Sequence, residues 1–149
     1  MKETHGDLWS FLDPSTWTYV AIPTNGVVKA NGEAVMGKGV ALQAATRFST
    51  LAFRLGAFIR DYGNQVYYFE DLSLFTFPTK HHWRNPSDLA LIKLSAYQLS
   101  DSDELCTFDT IYLPEVGCGK STDQLSWEKE VGPLLSTILD DRFIIVHPR

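Results

Sequence analysis

The chain has 149 residues, 44% of them hydrophobic and 21% charged, which suits one domain with a real core. A net charge of −5 without any basic run excludes a broad, salt-driven grip on duplex nucleic acid and leaves room only for a local basic site. No apolar run reaches the roughly 18–20 residues that span a bilayer. The first residues lack the apolar segment of a signal peptide, and Cys106 and Cys118 do not suggest a disulfide framework. A single domain over residues 1–149, in a reducing cytoplasm and away from membranes, is the expectation.

Residues 1–5 read as a short first strand, followed by a turn at Gly6-Asp7-Leu8-Trp9. Trp17 to Ile22 is apolar, β-branched or aromatic, and bounded by turn signals. It predicts a buried strand that Pro23 ends. A loop with four glycines follows, Gly26, Gly32, Gly37 and Gly39, and leads into a small-residue helix over Lys38–Phe48. Strand, glycine-rich loop and helix together aim free backbone N–H groups and the positive end of a helix at one spot, a usual seat for phosphate.

Leu51, Leu55, Phe58, Ile59 and Tyr62 recur at helical spacing, and Gly63-Asn64 stops that helix. Two strands are predicted at Gln65–Glu70 and Ser73–Phe77, then a polar, basic loop from Pro78 to Pro86. Ser87 is the expected cap of a helix that buries Leu89, Ile92, Ala96 and Leu99. Thr110–Leu113 predicts a buried strand, and Pro114 to Thr122 a second glycine-bearing loop. Ser126 caps a last helix, and Phe143–Val146 forms a final strand. Alternating strands and helices indicate an α/β layered domain with a mostly parallel or mixed sheet. Both glycine loops leave the carboxyl ends of buried strands, so they should meet at one edge.

Two phosphate motifs nearly fit and fail. Gly119-Lys120-Ser121 ends like a P-loop, but the first glycine of that motif would fall on Pro114. Gly117-x-Gly119 begins a dinucleotide fingerprint whose third glycine position holds Thr122. His81 and His82 are adjacent and lack companion ligands, so no metal or cofactor is expected.

Four motifs in order resemble the macrodomains. They are Gly6-Asp7-Leu8; Asn25 with Val35-Met36-Gly37-Lys38-Gly39-Val40-Ala41-Leu42-Gln43; Phe77-Pro78-Thr79-Lys80-x-His82-Trp83-Arg84; and Leu113-Pro114-x-x-Gly117-Cys118-Gly119 with Trp127-Glu128 downstream. The likeness is to the branch holding the DNA ADP-ribosyl glycohydrolase antitoxins and the terminal ADP-ribose protein glycohydrolase. It implies a three-layer α/β/α macrodomain with a central mixed sheet and an ADP-ribose site. Asp7, with Leu8, would meet the adenine, and Asn25 the distal ribose. Met36 and the amides of Gly37, Lys38, Gly39 and Val40 would cradle one side of the diphosphate. Pro114, Val116, Gly117, Cys118, Gly119, Lys120 and Ser121 would hold the other. Lys80 aligns with the antitoxins' catalytic lysine, and Asp123 lies at the offset from Trp127 that carries the glycohydrolase's catalytic acid. His147 falls where many macrodomains place an adenine-stacking aromatic.

Two departures stand out. Seven residues separate Gly119 from Trp127, two more than the usual spacing, and the first loop is longer by Lys29–Glu33. The resemblance implies removal of ADP-ribose from DNA or protein. A non-catalytic ADP-ribose reader and an ADP-ribose 1″-phosphate phosphatase need the same loops and stay open.

Overall fold

A computed structural model describes residues 1–119 and 125–148. Its strands are β1 (Lys2–His5), β2 (Thr18–Thr24), β3 (Tyr68–Phe69), β4 (Leu74–Pro78), β5 (Thr110–Leu113) and β6 (Phe143–His147). They form one sheet in the order β1-β6-β5-β2-β4-β3, parallel throughout except for β3 against β4. The helices are α1 (Gly39–Arg47), α2 (Leu51–Tyr62), α3 (Leu89–Ser100) and α4 (Gly132–Ser136), the last entered through a π-helical turn at Trp127–Val131.

Alternation along the strands divides the core in two, because successive side chains leave opposite faces of a sheet. Val20, Ile22, Leu74 and Val146 pack with Leu51, Leu55 and Ile59 of α2 and Ala44 of α1. Ala21, Phe75, Phe77, Ile111, Leu113, Phe143 and Ile145 pack with Ile92, Ala96 and Leu99 of α3 and with Val131 and Leu135 at α4. Helices therefore cover both faces, which is why the central strands read as continuous apolar runs. This is the three-layer α/β/α sandwich with a mixed sheet that the resemblance implies.

Four boundaries differ from expectation, each for a local reason. Trp17 lies outside β2, in a left-handed conformation (φ 54°) and 66% exposed. Pro23 does not end β2, which continues to Thr24 in register with β4. Pairing with β5 stops at Val20, so the proline sits where the strand is one-sided and a missing N–H is tolerated. Only Tyr68 and Phe69 of the expected Gln65–Glu70 strand pair. The N–H groups of Val66 and Tyr67 instead donate to Gln98 Oε1 (3.1 Å) and Thr76 Oγ1 (2.9 Å). Finally, Asp88 rather than Ser87 caps α3, its Oδ1 accepting from the N–H of Ala90 at 2.9 Å and of Leu91 at 3.4 Å.

Ser87 is instead buried under the second glycine loop. Asp88 also faces His81, Nε2 to Oδ2 2.9 Å, which with its cap bonds holds the carboxyl below the usual aspartate range; the bond to His81 is the main cause. Replacing Asp88 by Ala is expected to cost about 1 kcal/mol. On thermal melting that corresponds to a drop of about 2–4 °C.

The extra residues of the first loop form a small hairpin. Val28 bridges Ala34, the Lys29 N–H donates to the Glu33 carbonyl at 2.8 Å, and Gly32 turns the corner at φ 91°. Ala34 N–H then bonds the Ala52 carbonyl of α2 at 2.8 Å, so the hairpin lies on that helix.

Candidate functional site

Five parallel strands end at one edge of the sheet, and each sequence motif leaves one of them. Gly6-Asp7 follows β1, the first glycine loop β2, Lys80 β4, the second glycine loop β5, and His147 closes β6. Ligands of open parallel sheets gather at this edge, where loops and helix starts converge.

Close contacts lock the first glycine loop to the lysine loop and seat the second glycine loop on α3. A Cβ on Gly26 would lie 3.0 Å from the His81 carbonyl and from the Asn64 amide, so the first loop is fitted against the lysine loop. Asn64 Nδ2 donates to the Lys80 carbonyl at 2.9 Å, and Thr79 N–H to the Thr24 carbonyl at 3.0 Å. Lys80 is therefore held by its backbone beside the end of β2, half-buried. Gly117, at φ 76°, lies so close to α3 that a Cβ would sit 2.6 Å from Ile92 Cδ1 and 3.4 Å from Ser87 Cβ. The positive φ favours glycine there, and any side chain would also have to displace the Ile92 tip.

Asp7 sits at the rim, exposed, where it caps the first 3-10 turn by accepting from Trp9 N–H at 3.2 Å. Trp9 Nε1 donates to Gln43 Oε1 of α1 at 2.8 Å, joining that turn to the first loop's helix. Asn25 braces its own loop: Nδ2 donates to the Val35 carbonyl and Oδ1 accepts from Val27 N–H, both at 3.0 Å. Gly37, Lys38 and Gly39 are exposed and Val40 half-buried. Helix α1 begins at Gly39 (φ 57°) without a side-chain cap, an arrangement that leaves first-turn N–H groups for solvent or an anion. Leu8, Met36 and Val116 are buried in the core, so backbone is what they can offer a ligand. Pro114 and Cys118 are half-buried and Gly119 is exposed. Lys120, Ser121 and Asp123 lie outside the described residues.

Cys118 Sγ donates to the Val116 carbonyl at 3.5 Å, and burial, helped by Glu115 and Glu130, pushes its thiol up to about 11. A thiol so protonated is a packing residue at neutral pH, in line with the absence of a histidine near it in sequence. Beyond Lys80, Trp83 is 46% exposed, with the His82 ring stacked at 5.4 Å and the Arg84 guanidinium at 4.7 Å. Among the described residues no cluster of His, Cys, Asp or Glu could hold a metal ion.

Asn64, Glu115 and Asp88 escaped the sequence reading as site residues. Asn64 was legible only as a helix stop, since its contact with Lys80 spans sixteen residues. Glu115 carries a sharper consequence. His147 Nδ1 meets Glu115 at 2.5 Å and Nε2 meets Glu3 at 2.9 Å, while Trp127 packs edge-on to the ring. Burial alone lowers the pKa of this imidazole, but the two carboxylates outweigh it and the net shift is upward from 6.5. A raised folded-state pKa contributes stability that is complete below the unfolded value and is lost as pH rises through the folded one. Unfolding free energy from urea melts is therefore expected to fall as pH climbs from about 6.5. In His147→Gln that decline should flatten; an unchanged slope would show that other groups cause it.

No protein-family model and no curated protein matches the chain. Solved structures do. The DarG macrodomain of Thermus aquaticus superposes with a TM-score of 0.76 at 24% identity, over 99% of this chain and 97% of that one. The DarG macrodomain of Mycobacterium tuberculosis gives 0.71 at 25% identity, over 99% and 97%. Thermosipho africanus DarTG, solved in complex with ADP-ribose, gives 0.72 at 22% identity, over 97% of this chain and 40% of that longer one. The chain is thus a macrodomain in fold. Within that class it resembles DarG.

Proposed function

We propose that this macrodomain binds ADP-ribose along the carboxyl edge of its sheet and hydrolyses the bond joining ADP-ribose to a nucleic-acid base or a protein carboxylate. One observation carries the reading. The motifs at Gly6-Asp7, Asn25–Val40, Lys80 and Pro114–Gly119 are scattered over the sequence, yet their loops share one edge, where the first glycine loop and the lysine loop interlock and the second glycine loop is seated on the start of α3. In this reading Asp7 accepts from the adenine amino group and Asn25 turns toward the distal ribose. The amides of Gly37–Val40 and Gly117–Ser121 take the diphosphate. ADP-ribose in the complex of the similar Thermosipho protein supports the choice of ligand.

Lys80 stands at the reacting end. Water adds its hydroxyl to the anomeric carbon, and the leaving group departs with a proton. As an ammonium Lys80 supplies that proton; as an amine it attacks first and water then displaces it. Asp123 is assigned to act as general acid or to orient this lysine. Trp83, flanked by His82 and Arg84, offers a stacking surface for the target just past the scissile bond. Both cysteines are free, which supports a reducing compartment such as the cytoplasm.

Calorimetric titration of ADP-ribose, run beside release assays on DNA ADP-ribosylated at thymidine and protein ADP-ribosylated at glutamate, tests the reading. Binding with release from one substrate is expected, and that substrate names the linkage. Binding without release from either makes the protein a reader. Absence of binding removes ADP-ribose from this edge altogether.

A further inference from the structure

The opposite edge of the sheet carries a second surface. There Trp17 precedes β2, the Cys106–Asp109 loop precedes β5, and Arg142 precedes β6. With β2 seven residues long, this edge lies about 20 Å from the glycine loops. Two large aromatics stand out of it: Trp17 is 66% exposed and Phe108 is 76% exposed. Both are presented by fixed backbone. Thr110 N–H donates to the Trp17 carbonyl at 3.2 Å, and the buried Asp109 carboxylate accepts from Cys106 N–H at 2.7 Å, closing the loop that holds Phe108 outward.

The two aromatics frame a pair of adjoining shallow grooves of about 530 and 250 Å³, which share Phe108 and Asp109 as a common wall. Their rim is acidic. Asp140 pairs with Arg142 and Asp141 with the chain's terminal ammonium, but among the described residues no ion pair neutralises Asp101, Asp103 or Glu104 in the loop beside them. Glu104 lines the smaller groove, and exposed Asp101 and Asp103 lie close to it in the same loop, so the exposed aromatics with this acidic flank match an apolar anchor accompanied by cations, since the charges steer and the rings supply burial. We propose that this edge docks a basic segment of another protein, one whose aromatic or aliphatic anchor enters the groove beside Phe108 while its Lys or Arg residues face Glu104 and its acidic neighbours.

A display library of random 12-residue peptides, selected on the full chain and counter-selected on the Trp17→Ala/Phe108→Ala variant, tests this. Both side chains are exposed, so the variant should fold and bind ADP-ribose as the wild type does. Enrichment of peptides joining Lys or Arg to an aromatic or aliphatic anchor is expected. Their affinity should fall at least tenfold in the double variant, and comparably in Asp103→Lys/Glu104→Lys, which keeps both rings. Recovery of peptides without basic residues, or of none selective for the wild type, would overturn the proposal. So would concentration-dependent dimerisation of the wild type that the double variant loses, because the occupant would then be a second copy.

Discussion

Replacing Lys80 with alanine is expected to slow ADP-ribose release by about 10²–10⁴-fold, the usual loss on deleting a general acid–base group, with ADP-ribose affinity close to wild type. The separation follows from how Lys80 is held. The bond from Asn64 reaches its carbonyl, and the neighbouring bond runs from Thr79 N–H to Thr24. Alanine keeps both, so the lysine loop stays seated against Gly26 while the amine disappears. A parallel collapse of binding and release would mean that Lys80 shapes the site rather than acts in it. Lys80→Arg separates the two chemical roles, because a guanidinium retains the charge but is not a usable nucleophile. Partial recovery in that variant indicates cationic assistance to the leaving group. With no recovery, and with a borohydride-stable ADP-ribose adduct on the wild-type lysine, attack by the amine is the answer.

The largest expected loss of stability comes from a residue far from any chemistry. Gly56 lies inside α2, where alanine would ordinarily favour the helix by up to about 1 kcal/mol. Here a Cβ would meet the Gly32 carbonyl oxygen at 2.0 Å and the Ala34 nitrogen at 2.9 Å. Both are backbone atoms, so no rotamer relieves the clash, and the hairpin must lift from the helix. Lifting strains the 2.8 Å bond from Ala34 N–H to Ala52. Gly56→Ala is accordingly expected to cost about 2–3 kcal/mol net, at the upper end for overpacked sites. Thermal melting should move down by about 4–12 °C. Shortening the hairpin by removing Lys29–Glu33 in the same variant should recover part of that loss. If Gly56→Ala melts at or above the wild-type temperature, helix propensity wins and the close approach is unimportant.

The sequence displayed the layers better than their edges. Apolar runs at Val20–Ile22 and Ile111–Leu113 announced strands covered on both faces, and the helical stripe from Leu51 to Tyr62 matched α2 end to end. What failed were boundaries decided by distant partners. Gln65–Tyr67 has the composition of a strand, yet side chains of Gln98 and Thr76 claim its N–H groups. Ser87 and Asp88 are both good caps, and in the fold Asp88 takes the role while Ser87 is buried beside Gly117. The candidate site was legible as motifs on strand ends. The interlocking through Gly26, Asn64 and Gly117 was not, since glycine closeness to a remote carbonyl or side chain leaves no mark in local composition. The hairpin at Lys29–Glu33 was visible only as extra length, its purpose hidden until Gly56 came beneath it.

The strand order turns the sheet into a ruler. From β1 through β6, β5 and β2 to β4, neighbouring strands step about 4.8 Å apart, so the five loop-bearing strand ends cover about 19 Å in a straight line. On the proposed function, that line spells the ligand from left to right: base at Asp7, phosphates over the two glycine loops, distal sugar at Asn25, and the bond to be cut at Lys80. A nucleotide that ends at its first phosphate would occupy the β1 side alone and never touch the lysine. On that reading, discrimination between ADP-ribose and shorter nucleotides would follow from counting strands, before any single contact is made.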